Sequence, residues 1–477
     1  MKKLTKPAVV LFCVLLAAAV FLWNPFGLAA ASNKVIAFAV LMVALWVTEA
    51  VPMALTALLP IILFPLFNVS TISDTTTAYA NPVIFLFMGG FMLGLAIEKW
   101  NLHRRIALNI VRLTGTSGDR IILGFILSTG LISMWLSNTA TTMMMFPIAL
   151  SVVHVIRDSH ADQKGFSNFA MAIMIGIALA SNFGGIATLI GTPPNVAYAA
   201  YINKKYDYSI SFLDWLLTCM PLALALMFTL YWVMVKWLYP NRMRSDASTT
   251  NMIRDEIAAL GPYSVAEKRV MLIFSATALL WITKDFIVKF TGLKLDDNMI
   301  ALIGAVSLFV VPSGKGDEPL LQWSDTKNMA WGILLLFGGG IALASALEKA
   351  GLIELLGQWV AAFGLNTFML ILIICIISIF ISEVMSNVAQ VIVFAPVVSS
   401  IAEAAGLHPL VLGIPMALAA SCAGMLPMGT PPNAIAFSSG YIKLKNMTTV
   451  GFVMNIISII LITVFCWLVL PAAFHLK

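Results

Sequence analysis

The chain has 477 residues, 60% hydrophobic and only 10% charged, with a net charge of +6 and a mean hydropathy of +0.96. Soluble domains carry about a quarter charged residues, so a soluble enzyme built on one core is excluded. In so apolar a chain the excess of Lys and Arg marks membrane-flanking loops, not a nucleic-acid surface.

Apolar runs long enough to cross a hydrocarbon core of about 30 Å recur along the whole length. The first lies near 7–30. Its Lys2, Lys3, apolar stretch and Ala29-Ala30-Ala31 also fit a signal peptide, but the stretch is long and Asn24-Pro25 interrupts it, so a retained span is expected. Spans near 34–51, 53–67 and 82–100 follow, then a basic interfacial helix to about 117. The run 121–156 has room for two short legs, 169–200 is a broken span, and 212–238 is another span. A polar linker at 240–268 leads, with Arg242, Arg244, Arg254, Lys268 and Arg269 in and beside it, to the second half. That half has spans near 269–290, 298–312 and 328–348, a two-legged run at 366–402, a broken span at 409–440 and a last span at 447–472.

The halves repeat one another. Leu86-Phe87-Met88-Gly89-Gly90 matches Leu336-Phe337-Gly338-Gly339-Gly340, with Glu98-Lys99 and Glu348-Lys349 at the same offset. Trp46-Val47-Thr48 resembles Trp281-Ile282-Thr283, Pro65 resembles Pro312, and Pro147 and Pro396 sit equally far beyond the polar triplets Ser137-Asn138-Thr139 and Ser386-Asn387-Val388. Such an ordered internal repeat decides the fold more than any local signal. If both two-legged runs re-enter on one side, five crossings separate the second span from its counterpart, and the second repeat is inverted. With the N-terminus inside, about twenty Lys and Arg then lie on cytoplasmic ends and about eight outside. Hairpins that cross fully would move Arg157, Lys164 and the basic linker outside. The expected fold is therefore an all-α polytopic membrane protein with about eleven transmembrane helices, two re-entrant hairpins and an inverted repeat. Its N-terminus is cytoplasmic and its C-terminus outside.

Polar residues interrupt this pattern at four places. Ser137-Asn138-Thr139 and Ser386-Asn387-Val388 fall between the legs of the two-legged runs, and Gly191-Thr192-Pro193-Pro194-Asn195 and Gly429-Thr430-Pro431-Pro432-Asn433 break the spans that follow. Discontinuous helices in corresponding positions of two repeats are the best sequence pointer to a secondary transporter's site. Thr-Pro-Pro stops a helix because proline lacks an N–H and clashes with the preceding turn. Freed helix N-termini favour an anion, and freed carbonyls favour a small hard cation. No Lys or Arg lies in any of the four segments, so anion binding needs a co-bound cation, which can be sodium or a proton. Glu383, three positions before Ser386, either serves that cation or satisfies nearby backbone. Met143-Met144-Met145 and Gly89-Gly90 read as packing, and Asp296-Asp297 beside Lys294 as a solvated turn. Asn68-Val69-Ser70 fits a glycosylation pattern. Cys13, Cys219, Cys375, Cys422 and Cys466 lack CxxC spacing and read as small packing residues.

With Trp46-Val47-Thr48-Glu49 upstream, the paired motifs resemble the divalent anion/sodium symporter family, which includes bacterial dicarboxylate transporters. The resemblance runs from about the second span past Asn433. It implies a homodimer in a bacterial inner membrane, working as an elevator. Scaffold parts at 1–117 and 269–360 would hold transport parts at 118–240 and 361–477, with a cytoplasmic linker at 241–268. By motif, one sodium site would use Ser133, Ser137, Asn138 and the Gly191 backbone. The other would use Ser382, Asn387 and the backbone of Met385 and Gly429. Substrate carboxylates would meet Ser137, Asn138, Thr139, Thr192 and Pro193 on one side, and Ser386, Asn387, Val388, Thr430 and Pro431 on the other. The chain departs from the family pattern at Val388, where many dicarboxylate members have threonine.

The implied activity is sodium-coupled import of succinate, malate or fumarate, with no nucleic-acid partner. Rival readings on the same fold are a dicarboxylate exchanger and a citrate or sulfate carrier. A membrane-embedded enzyme needs a His, Asp or Glu cluster at membrane depth, where the broken segments offer only Glu383. An open channel fits a repeat-interface site less well than alternating access does.

Overall fold

The computed structural model describes residues 5–25, 27–115, 117–159, 163–241 and 247–474. Lys2, Lys3, Arg242, Arg244 and the last three positions of the chain lie outside the described residues. The first half opens with α1 (Lys6–Trp23), α2 (Ala30–Thr48), α3 (Met53–Thr56), α4 (Leu59–Leu66) and α5 (Ile72–Thr77). It continues through α6 (Pro82–Lys99), α7 (Leu102–Thr114), α8 (Gly118–Ser133), α9 (Asn138–Ser159), α10 (Gln163–Gly185), α11 (Pro193–Tyr206) and α12 (Phe212–Trp232). A linker helix, α13 (Ala247–Ala259), joins it to α14 (Val265–Thr291), α15 (Asp297–Val310), α16 (Trp331–Lys349) and α17 (Leu352–Ala361). The chain ends with α18 (Thr367–Ser382), α19 (Asn387–Ala404), α20 (Leu410–Ala420), α21 (Pro431–Phe437) and α22 (Leu444–Ala473).

Among the described residues, ten helices are long and apolar enough to cross a membrane. Two of them, Asn138–Arg157 and Asn387–Ala404, are second legs of the two-legged runs. The short pieces Met53–Leu66 and Asp297–Val310 and the broken pair α20 and α21 complete the expected set.

Sequence punctuation places the helix starts. Asn81 accepts from the Val83 N–H with Pro82 in the first turn, Asp296 accepts from the Met299 N–H, and Asn366 from the Met369 N–H. Ser264 and Glu267 form a reciprocal capping box at the head of α14. Buried Arg105 of α7 reaches that box, donating to Glu267 at 2.9 Å and to the carbonyls of Leu260 and Gly261. That ion pair ties α7 to the start of the second half.

The repeat seen in the sequence is also a repeat of contacts. Trp46 donates its indole N–H to the Met53 carbonyl, and Trp281 donates to the Asp297 carbonyl. Gly89 of α6 lies so close to α15 that an added methyl would sit 2.7 Å from the Ala301 carbonyl carbon. Gly339 of α16 meets α3 in the same way, 2.7 Å from the Ala57 Cα. Each repeat thus lays its glycine helix on the short element of the other, as a two-fold relation requires. The glycines read as packing residues do pack.

Five details differ from expectation. The legs of the first hairpin are unequal, 16 and 22 residues. The linker holds α13, whose Glu256 pairs with Arg104. Helix α17, the counterpart of α7, is an addition to the expected order. Asp297 is not a solvated turn: it is buried, accepts from the Phe212 N–H at 2.9 Å and pairs with Lys284 at 3.1 Å. Only Asp296 fits the surface reading, as a helix cap. Pro65 and Pro312 also differ, one inside α4 and the other beyond the end of α15.

Candidate functional site

Both hairpins turn inside the protein, against the two helix breaks. In the first, α8 ends at buried Ser133 and α9 begins at Asn138. The Ser133 hydroxyl donates to Asn138 Oδ1 at 3.0 Å. Asn138 Nδ2 donates to Asn182 Oδ1 at 3.3 Å and to Thr192 Oγ1 at 3.4 Å. Gly185, the last residue of α10, admits this carbonyl, since an added methyl would collide with Asn138 Oδ1. Beyond it the chain unwinds. Thr188 donates to the Met134 carbonyl and accepts from the Gly191 N–H at 3.0 Å. Asn195 donates to the Thr188 carbonyl at 2.9 Å and the Gly185 carbonyl at 3.4 Å. Oxygen atoms thus gather around Gly191 from the hairpin tip and the break, the donor chemistry a small hard cation takes.

The second repeat builds a related half with one difference. The Ser382 hydroxyl lies 2.8 Å from Asn387 Oδ1 and 2.7 Å from the Ala420 carbonyl. Asn433 donates to the Leu426 carbonyl at 3.2 Å, as Asn195 does to its own loop. Where the first half has Met134, the second has Glu383, and its carboxylate takes over the unwound backbone. Oε1 accepts from the N–H groups of Gly424 (2.8 Å) and Met425 (2.9 Å) and from Asn455 Nδ2 (2.8 Å), and Oε2 accepts from Leu426 N–H at 3.1 Å. Of the two roles open to Glu383, satisfying backbone is the one these contacts fill. Gly429 lies beside Oε2, with 3.2 Å left for a methyl.

The halves meet through a residue that the sequence reading did not single out. Buried Asn182 accepts from Asn138 and donates from Nδ2 to Thr430 Oγ1 at 3.4 Å, linking the first hairpin to the second break. Of the expected residues, Ser133, Asn138, Thr192 and Thr430 are therefore joined in one network, and Ser382 and Asn387 form a second cluster. Gly191 and Gly429 sit on the loops that these clusters touch. Ser137 instead accepts from the Ala140 N–H of its own helix at 3.3 Å. Thr139, Pro193, Met385, Ser386, Val388 and Pro431 lie on the tips and breaks, and no described hydrogen bond joins their side chains to the others. Ser137, Asn138, Thr139, Ser386 and Asn387 remain partly exposed, so the tips are open to an incoming solute.

Residues 2–472 match the family described as the sodium:sulfate symporter transmembrane region. The sodium-dependent dicarboxylate transporter SdcS of Staphylococcus saprophyticus is 37% identical over 460 residues, covering 94% of this chain and 88% of that protein. The protein of the same name in Staphylococcus aureus is 37% identical over 435 residues, covering 89% and 84%. Among solved structures, the YdaH transporter of Alcanivorax borkumensis shares the fold with a TM-score of 0.61 at 14% identity, covering 92% of this chain and 98% of that one. MtrF of Neisseria gonorrhoeae does so with a TM-score of 0.60 at 13% identity, covering 96% and 97%. The doubled hairpins and breaks thus stand in a chain matched almost end to end, and that chain belongs to the sodium:sulfate symporter family.

Proposed function

We propose that this protein is a sodium-coupled symporter of C4-dicarboxylates such as succinate, malate and fumarate, and not an enzyme. The observation that carries the reading is the doubled Ser–Asn pair, Ser133 with Asn138 and Ser382 with Asn387, each set against a helix break. The relatives' names supply the solute class. The backbone N–H groups that open α9, α11 and α19 favour carboxylates, and the oxygen clusters behind them favour sodium. With no Lys or Arg in the four segments, the cation supplies the positive charge, so substrate binding depends on it.

The transport parts, 118–240 and 361–477, interlock through Asn182 with Thr430 and through the Tyr198 hydroxyl, which donates to the Pro409 carbonyl at 2.9 Å. That supports their moving together against the scaffold parts, 1–117 and 269–360, as an elevator in a homodimer. The charge pattern supports a cytoplasmic N-terminus, an outer C-terminus and inverted repeats. Single cysteines at Asn68 and Gly316 should then label from outside and inside respectively. The five native cysteines are buried, which keeps the background low. Labelling of both positions from one side would overturn this topology.

The functional test is uptake of labelled succinate into proteoliposomes, with and without a sodium gradient, challenged by unlabelled citrate and sulfate. Gradient-driven uptake resisting both competitors is expected. Uptake needing internal dicarboxylate instead would mark an exchanger. Asn138→Ala and Asn387→Ala should each sharply weaken sodium-dependent succinate binding. Normal sodium dependence in both would remove these residues from the cation sites.

A citrate or sulfate carrier is favoured by one observation, the buried valine at 388 in place of a threonine hydroxyl. Methyl and hydroxyl differ little in size, so Val388→Thr acts through polarity. One neutral hydrogen bond is worth roughly 0.5–1.5 kcal/mol, so succinate should bind about two- to tenfold tighter. Weaker succinate binding in competition assays would mean that Val388 packs against the solute and that another anion is carried.

A further inference from the structure

A cavity of about 140 Å³ opens between the first turn of α2, the loop after α4 and the last turns of α11 and α16. Three lysines line it from three different helices: Lys34 of α2, Lys204 of α11 and Lys349 of α16. Asp74 is the only carboxylate among the lining residues. Lys34 donates to the Phe67 carbonyl at 3.2 Å, and none of the three lysines takes part in a described ion pair.

Neighbouring lysines are treated differently. Lys205, next in sequence to Lys204, lies 3.2 Å from Glu348 and 3.6 Å from Glu403. Lys99, the first-repeat counterpart of Lys349, is bound to Asp325 at 2.6 Å. Three lysines lining one small cavity repel one another, and that repulsion becomes attraction once an anion sits among them. The rest of the wall is mixed: Asn68, Ser70, Thr75 and Ser345 are polar, and Val35, Phe64, Ala78, Ala342 and Ala346 make an apolar part. A hydrated inorganic ion gains nothing from the apolar part of this wall. A phosphate carrying a glycerol and the start of an acyl chain buries apolar surface against it. Basic pockets between transmembrane helices at the cytoplasmic face hold lipid headgroups; Asn68 lines this one, which the proposed topology sets at the outer face, where the same charge pairing applies. The volume admits one headgroup phosphate or several waters.

We propose that this cavity binds the headgroup of an anionic phospholipid, its phosphate held by Lys34, Lys204 and Lys349. Lys204 lies on α11, the helix that begins at the Thr192-Pro193 break, and the other two lysines lie on scaffold helices. A bound lipid therefore pins the two parts in their present arrangement, a consequence that rests on the proposed division, whereas the binding does not.

The test uses the full chain in a neutral detergent. Wild type and the combined Lys34→Gln, Lys204→Gln, Lys349→Gln variant are titrated with phosphatidylglycerol, with phosphatidylcholine of equal chain length, and with inorganic phosphate. Bound lipid is counted by native mass spectrometry, and phosphate is followed by thermal shift. Wild type should hold phosphatidylglycerol and not phosphatidylcholine. The glutamine variant should lose affinity at least about tenfold, given roughly fivefold per lysine near a lipid surface. The corresponding triple arginine variant should retain binding, as should a control with Lys268, Lys289 and Lys294 changed to glutamine. Unchanged lipid binding in the glutamine variant overturns the site. Equal binding of phosphatidylcholine, or phosphate as effective as the lipid, overturns the assignment to an anionic lipid. None of these readouts depends on transport, so a failure of the symporter reading leaves them standing.

Discussion

Glu383→Ala should abolish transport and sharply lower the yield of folded protein, whereas Glu383→Gln should leave a folded carrier with residual activity. Alanine strands four donors, the N–H groups of Gly424, Met425 and Leu426 and the amide of Asn455. A buried donor left unsatisfied costs about 1–3 kcal/mol, so the sum reaches the scale of a whole domain's stability of about 5–15 kcal/mol. Glutamine keeps one oxygen, which can serve the three donors on Oε1, and turns its own N–H groups towards Leu426. It therefore loses one bond and gains one clash. Aspartate keeps the charge but is one methylene too short, and it should fall nearer alanine. The pH dependence of transport decides whether Glu383 also carries a proton. A positioning role leaves the profile of the glutamine variant unchanged in shape. A profile that flattens in that variant would assign proton coupling to Glu383 and overturn the positioning role.

How far the sequence reveals this site depends on whether a feature is doubled. Ser133 with Asn138 and Ser382 with Asn387 stand out because a polar pair in an apolar run occurs twice, each time ahead of a Thr-Pro-Pro break. The same doubling gives the order of helices in both halves. Asn182 has no asparagine echo: counted back from the Thr-Pro-Pro break, the second repeat has Ala420 at the same distance, and its carbonyl accepts from Ser382. In the run Ala178-Leu179-Ala180-Ser181-Asn182, one asparagine looks like helix packing, and only the tertiary fold shows it between two polar partners. Glu383 is visible as an intramembrane carboxylate, but its four donors lie about forty residues or more downstream, beyond any local pattern. The misread Asp297 has the same cause. Its partners, Phe212 and Lys284, come from other helices, while the neighbouring Lys294 suggests a surface turn. Helix α17 was within reach, since Glu348-Lys349 aligns with Glu98-Lys99 and α7 follows the latter directly.

Asn182→Asp should move the two ligands of the carrier in opposite directions, weakening succinate binding at least about tenfold while holding or raising sodium affinity. The reason lies in what Asn182 touches. Its Oδ1 orients the Asn138 amide so that the Asn138 carbonyl faces Ser133 and the oxygen cluster, and its Nδ2 orients the Thr430 hydroxyl at the second break. A carboxylate keeps the first contact and loses the donor of the second. At the proposed site it also places negative charge near both solutes. A few ångströms from a cation, in surroundings of effective dielectric about 20, such a charge is worth on the order of a few kcal/mol, attractive for sodium and repulsive for a dicarboxylate. Alanine at the same position removes both hydrogen bonds and adds no charge. At roughly 0.5–1.5 kcal/mol each, the loss is about 1–3 kcal/mol, or roughly 5- to 150-fold, and it should fall on both ligands together. A double-mutant cycle with Thr430→Ala tests whether Asn182 joins the repeats: the paired variant should lose less than the two single losses combined. Strict additivity, or parallel losses of sodium and succinate in the aspartate variant, would show that Asn182 supports the helix alone and that the two halves of the site are coupled elsewhere.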